Sequence, residues 1–397
     1  MPSTLVEKII ARASGRTRVE PGKIVTCKVD LAMFYDSAGP RRIEPALREL
    51  GAQVWDPSRV IVAGDHFAPS LDAMPPAAHR LRPGAFCVGG DGQFITGGAF
   101  GCYMAGFGGT EMTGVMITGK IWTRVPETVL VYLSGELPVG TTAKDITLAL
   151  CRLLGMRNNF KVIEYAGSTV ASLPMNERMA LTNMAVELGA ETGLIAPDAV
   201  TLDAIRSAGG VVEDDAVNIW QSDPDASYEF RCELDVSSLE PQIAWPRSSA
   251  NIASVTEARG QKIDQACVGA CVGANLADLH MAARVLKGRK VAPGVRLLIA
   301  PASIEATQAA TADGTMATLA KAGAILLRCG SGARSGISAG TLAKGEVGIS
   351  STNRNFKALT GQEDADVYLG SPYTVAASAV EGRIADPRIY LDGEFYG

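Results

Sequence analysis

The segment QACVGACVGANLADLH (265–280) sets Cys267 and Cys271 four residues apart in a small-residue loop that runs into a helical pattern. Two thiols at that spacing can reach one metal ion, and thiolates suit zinc and iron. Free cysteine is also among the most buried residue types, so the same pair reads as two small packing residues, and both readings stay open at this point. In VAGDHF, Asp65 and His66 follow an apolar strand pattern directly. A carboxylate beside an imidazole fixes its tautomer and lets it exchange protons near neutral pH; the plain alternative is a satisfied histidine at a strand end. GGDGQFITGGAFG (89–101) carries Asp91 in a glycine-rich loop whose backbone N–H groups could cradle an anion. It lacks the spacing of a P-loop or a dinucleotide fingerprint. In SSTNRNF (350–356), Asn353 and Asn355 flank Arg354. A guanidinium grips a planar carboxylate through two parallel bonds, so this is an acid clamp or, in the plainer reading, a surface ion pair.

These groups need elements to hold them. IVTCKVDLAMF (24–34), RVIVAG (59–64), TVLVYLSG (128–135), KVIEYAG (161–167), VRLLIA (295–300), AILLR (324–328) and DVYLG (366–370) are short apolar runs that predict buried strands. RRIEPALREL, TAKDITLALCRLLGM, NERMALTNMAVELGA, LADLHMAARVLKG and YTVAASAVEGRI carry the helical period instead. Alternation of the two predicts an α/β protein with layered sheets, in which ligand groups gather where strands end. Thr4 and Glu7 stand at capping-box spacing ahead of Leu5, Ile9 and Ile10, which predicts a structural first helix and not a signal peptide. WPRSSANIAS (245–254) reads as a linker and Pro126 as a second boundary, giving three domains: 1–126, 127–244 and 245–397.

Composition narrows the function class. The chain has 397 residues, 47% of them hydrophobic and 20% charged, enough for extensive cores. A net charge of -5 with no basic stripe among aromatics points away from nucleic acid, and no apolar run is long enough to span a bilayer. Eight cysteines, scattered apart from the 267/271 pair, fit a reducing cytoplasm better than a disulfide framework. Small-molecule chemistry is the expectation.

Taken in order, VEPGKIVTCKVDLAMFYDSAGP, RVIVAGDHFAP, TGKIWTRVPETVLV, VIEYAGSTVASLPMNERMALTNMAVELGAETG, SSTNRNF and GSPYTVAASAVEGRIADP resemble the aconitase superfamily, and within it the large subunits of 3-isopropylmalate dehydratase. The resemblance spans nearly the whole chain. It implies three α/β/α domains of the aconitase type, without the smaller swivelling fourth domain, and isomerisation of hydroxy acids by dehydration and rehydration. Family enzymes do this at a four-iron cluster held by three cysteines, whose unligated iron acts as a Lewis acid.

The resemblance also marks where this chain departs. Cys271 matches the first ligand cysteine, but its usual Ser-Cys-Thr-Asn frame is Ala270, Cys271, Val272, Gly273 here. The other two ligands fall in a Cys-Gly-Pro-Cys loop, which aligns with Cys329, Gly330, Ser331 and Gly332, so one ligand is missing. The family's Asp-Ser-His corresponds to Asp91, Gly92 and Gln93; a second histidine disappears with a deletion near LRPGAF; a third is replaced by Tyr35, before Asp36. Arg354 is kept, while the second clamp arginine is Leu359, beside Lys357. The resemblance thus implies catalytic roles for Asp65, His66, Asp91 and Glu164, and substrate contacts from Asp36, Asn353, Arg354 and Lys357. Metal contacts would come from Cys271 and Cys329, with Cys267 as a replacement third ligand, as in the divergent aconitase X branch. The competing reading has no cluster at all and leaves the thiols as packing residues or as part of a new site.

The expectation is therefore a lyase or isomerase acting on a small hydroxy or unsaturated di- or tricarboxylic acid. It works by dehydration-hydration or by alpha-proton chemistry, with an iron-sulfur or other iron centre or without one. A cluster-free enzyme of elimination or decarboxylation, or a carboxylate-binding scaffold, is the alternative. The implied partner is a small-subunit-like protein of 3-isopropylmalate dehydratase, with a homo-oligomer as the other arrangement.

Overall fold

The structure, a computed structural model, describes residues 2–35, 39–64, 79–248, 250–270, 273–330, 340–356 and 364–391. The chain forms two compact units, one of residues 1–67, 73–135 and 157–235, the other of 68–72, 136–156 and 236–397. The expected boundary near Pro126 thus separates two sheets of one unit and not two units. Residues 136–156, assigned by sequence to a middle domain, belong to the C-terminal unit. The reason is local: Asp145, on the helix Ala143–Leu154, accepts the backbone N–H of Gln242 at 2.8 Å, fixing that helix to the strand Gln242–Ala244.

The N-terminal unit contains two four-stranded parallel sheets. In the first the order is Val60–Ala63, Leu31–Tyr35, Phe86–Gly89, Tyr103–Gly106. In the second it is Phe230–Asp235, Glu127–Ser134, Lys161–Ala166, Thr192–Ile195. A separate antiparallel ribbon pairs Ile24–Lys28 with Lys120–Arg124. The apolar run 24–34, read as one strand, is therefore two strands in different sheets. The break falls at Asp30, whose carboxylate accepts the N–H of Phe86 at 2.8 Å and pairs with Arg12, bending the chain between the ribbon and the first sheet. Along the ribbon buried and exposed residues alternate, so Val25 and Cys27 face the core while Ile24 and Trp122 face water. The helix Leu5–Ser14 packs its apolar stripe under this unit, and its capping box of Thr4 and Glu7 is present as the spacing predicts.

In the C-terminal unit one seven-stranded sheet has the order Ile252–Ser254, Gln242–Ala244, Asp366–Leu369, Val347–Ser350, Gln265–Val268, Arg296–Ile299, Ile325–Leu326. The last five are mutually parallel and the first two run antiparallel at one edge. The WPRSSANIAS segment is no linker: it joins Gln242–Ala244 to its hairpin partner Ile252–Ser254 inside this sheet. The helices Leu276–Leu286 and Pro372–Glu381 bury Leu279, Val285, Val375 and Ala379 against Ala266, Val268, Leu297 and Ile349. Among the described residues no helix is long and apolar enough to cross a membrane.

Candidate active site

Strand order decides where a ligand fits. In the C-terminal unit the chain leaves Gln265–Val268, adds Arg296–Ile299 and Ile325–Leu326 on one side, and then returns to place Val347–Ser350 on the other. The two connections diverge at the carboxyl ends of Gln265–Val268 and Val347–Ser350, the kind of crevice in which open α/β sheets bind ligands. The loop after the first strand begins at Gly269; the loop after the second is Ser351, Thr352, Asn353, Arg354.

Ser351 ties these loops together. Its N–H donates to the Cys267 carbonyl at 3.0 Å, its hydroxyl accepts the N–H of Gly269 at 3.1 Å and donates to the Gly273 carbonyl at 2.7 Å. A Cβ at Gly273 would stand 2.3 Å from the Ser351 carbonyl oxygen, so the asparagine that the family resemblance places here has no room. Beneath, Lys144 is buried and donates to the carbonyls of Ser351 at 2.7 Å and Thr352 at 2.6 Å. Beyond, the Asn355 amide donates to the carbonyls of Trp245 at 2.6 Å and Val367 at 3.0 Å. Asn353 is buried between these anchors and Arg354 half-buried.

The thiols divide. Cys267 sits inside the strand Gln265–Val268 and packs with Leu298 and Leu327, on the face opposite Ala266 and Val268. Burial pushes its thiol up to about 12, with the Ser350 hydroxyl offsetting only part of the cost, so at neutral pH it is a protonated packing group. Cys329 is half-buried past the edge strand Ile325–Leu326, two strands away across the sheet. Cys271 lies outside the described residues, as do Asp36, Asp65, His66, Gly332, Lys357 and Leu359.

The N-terminal unit has its own strand-order reversal, between the carboxyl ends of Leu31–Tyr35 and Phe86–Gly89, and Tyr35 and Asp91 flank it. Tyr35 stacks on Phe94 with ring centroids 4.4 Å apart. The glycine-rich loop that follows is not an open anion cradle. It coils into the tight turns Gly92–Phe100, in which residues 94–100 are buried, and a Cβ at Gly98 would meet the Gly193 carbonyl at 1.8 Å, so that glycine serves close packing on the strand Thr192–Ile195. Glu164 is not brought to this reversal. It lies mid-strand, where the Ser222 hydroxyl donates to its oxygens at 2.7 and 2.9 Å and the Tyr228 hydroxyl at 3.3 Å. Burial raises its carboxyl above the usual range against those bonds. Ser222 in turn accepts the N–H of Leu5 at 2.7 Å, so this carboxylate braces the start of the first helix.

Sequence reasoning passed over Ser351 and Lys144, and in the N-terminal unit Asn183 and Glu187. Both of the latter are buried, and Asn183 donates to the Thr96 hydroxyl at 2.7 Å in the glycine-rich turns. The available signal was a polar pair at i, i+4 within an otherwise apolar helical segment.

Comparison with known proteins identifies the family. The profile of the aconitase family (aconitate hydratase) matches residues 41–261 and 249–382. The 3-isopropylmalate dehydratase large subunit 1 of Methanopyrus kandleri is 40% identical, over 98% of this chain and 100% of that protein. The 3-isopropylmalate dehydratase large subunit of Moorella thermoacetica is 36% identical, over 98% and 99%. The probable methanogen homoaconitase large subunit of Methanothermobacter thermautotrophicus is 36% identical, over 97% of each chain. With the α/β sheets, the strand-order reversals and matches along almost its entire length, the chain belongs to the aconitase family.

Proposed function

We propose that this hydro-lyase/isomerase of the aconitase superfamily acts on a small hydroxy or unsaturated di- or tricarboxylic acid, by proton transfer at the carbon next to a carboxylate. The observation that carries the reading is the clamped loop Ser351–Arg354 at the reversal of strand order in the C-terminal unit, which ends in a half-buried arginine. Arg354 would anchor a carboxylate by a bidentate contact with Asn353 beside it. Asp65 and His66 are the acid/base pair that the sequence offers for moving the proton. Relatives named for 3-isopropylmalate and for homoaconitase support an acid with an apolar or extended substituent, and Leu359 in place of a second clamp arginine favours the apolar one.

A four-iron cluster held by three thiolates does not fit this donor set. Gly332 has no side chain to replace the missing cysteine, and Cys267 is packed inside the strand Gln265–Val268 against Leu298 and Leu327. Cys271 and Cys329 remain of the family's three ligands, so no step is assigned to a cluster. The decisive experiment is solvent-deuterium incorporation at the alpha carbon of malate, 3-isopropylmalate and related acids, followed by proton NMR. Exchange in the wild-type protein that is lost in His66→Gln, and weakened binding in Arg354→Lys by about 1.5–3 kcal/mol, is the expected result. No exchange with any acid, and equal acid affinity in wild type and Arg354→Lys, would overturn the reading.

A further inference from the structure

We propose that Lys144 is a positioning residue for acid binding: its buried ammonium holds the loop Ser351–Arg354 in the shape that presents Asn353 and Arg354. The inference rests on the function proposed above and names the device that sets its anchor. Lysine is seldom buried without compensation, and here the compensation is specific. Lys144 is 6% exposed, and its Nζ lies 2.7 Å from the Ser351 carbonyl and 2.6 Å from that of Thr352. Its place in its own element does not call for a cation. It is the second residue of the helix Ala143–Leu154, where the helix dipole disfavours positive charge, and Asp145 beside it supplies the capping box with Thr142. Besides the neighbouring Asp145 carboxyl, the ammonium has the two loop carbonyls as acceptors.

The geometry has a directional result. A peptide unit is planar, with its C=O and N–H pointing opposite ways, so two successive carbonyls turned to Lys144 turn the N–H groups of Thr352 and Asn353 away from it. The ammonium therefore sits at the negative ends of two peptide dipoles whose positive ends face the other side of the loop. Ser350 fixes the first of these by accepting the Thr352 N–H at 3.1 Å, and the Ser351 hydroxyl ties the loop to Gly269 and Gly273. A loop held at these points keeps the arginine that follows it ready for a carboxylate, without the ordering cost that a free loop would pay on binding.

The test uses the full chain with Lys144→Met, Lys144→Arg and Arg354→Lys, and two readouts well below the unfolding temperature. One is hydrogen exchange of the 350–355 amides without ligand. The other is affinity for malate and 3-isopropylmalate by calorimetry. In Lys144→Met, exchange in this loop should accelerate about tenfold while the amides of the helix Leu276–Leu286 stay unchanged; acid affinity should fall about tenfold, and Lys144→Arg should restore most of both. Either readout unchanged in folded Lys144→Met overturns the proposal. If that variant does not fold, Lys144→Gln, uncharged and able to donate, carries the same readouts. Should the wild type bind neither acid, the functional reading fails while the exchange measurement still decides whether Lys144 holds the loop. Loss of affinity in Arg354→Lys alone would keep the functional reading and remove Lys144 from it.

Discussion

Arg178 is wholly buried, and its charge is matched by Asp198 through two bonds of 2.7 Å and by the carbonyls of Leu173 at 2.9 Å and Ala171 at 3.1 Å. Its partner is also the cap of the helix Ala199–Ser207. Burial pushes the Asp198 carboxyl up, but the bonds and charge of Arg178 outweigh it and hold the carboxyl below its usual value. Removing one member of such a pair leaves the other charge uncompensated. Arg178→Met should cost about 3 kcal/mol in urea unfolding, at the low end of the range for broken buried pairs, because Asp198 keeps 37% of its side chain in solvent. The sign with pH follows from the depressed value: the pair's contribution is present above the ordinary carboxylate range and is lost as pH falls through it. None of this was legible from the sequence, where Arg178 looks like one more charge on a helix. SSTNRNF was legible because a polar cluster with a guanidinium sits directly after a strand, while Lys144 was not, because its partners lie far along the chain.

At the scale of elements, the helix Ala143–Leu154 combines a strong start with a titrating group. Burial pushes the Asp145 carboxyl up to about 7, although the Gln242 and Thr142 N–H groups, the Thr142 hydroxyl and the Lys144 charge all favour the ionised form. A carboxyl whose folded value exceeds its unfolded one takes up a proton on folding. Its contribution is therefore fully present below the unfolded value and declines as pH rises toward 7. Unfolding free energy measured from pH 4 to 7 should carry this downward component, and Asp145→Asn should flatten it while lowering stability through the lost cap acceptor. Element types were legible where periodicity was strong: strands such as Lys161–Ala166 and helices such as Leu276–Leu286 fall where the pattern puts them. The two errors share one cause. The run 24–34 and the segment 245–254 are shaped by pairing with distant strands, Lys120–Arg124 in one case and an antiparallel sheet edge in the other, and local apolar pattern is blind to both.

For the whole molecule, the α/β class was legible from alternation alone, but its grouping into units was not, since the helix Ala143–Leu154 joins a sheet whose strands come about a hundred residues later. The relatives named above are named as large subunits, and we propose a small-subunit-like partner for this chain. Co-expression with such a protein should give a stable mixed complex, by light scattering after gel filtration, with higher turnover than the chain alone; full activity in a homogeneous preparation of this polypeptide would argue for a self-sufficient enzyme. The ribbon of the N-terminal unit offers an optical handle on that question. Of the four tryptophans, Trp122 alone is exposed, at 63%, while Trp55, Trp220 and Trp245 are half-buried. Its indole should dominate the long-wavelength edge of the emission spectrum and be the first quenched by acrylamide. Trp122→Phe would identify its share, so any protein that settles over the outer face of the ribbon will announce itself as a blue shift in one assigned fluorophore.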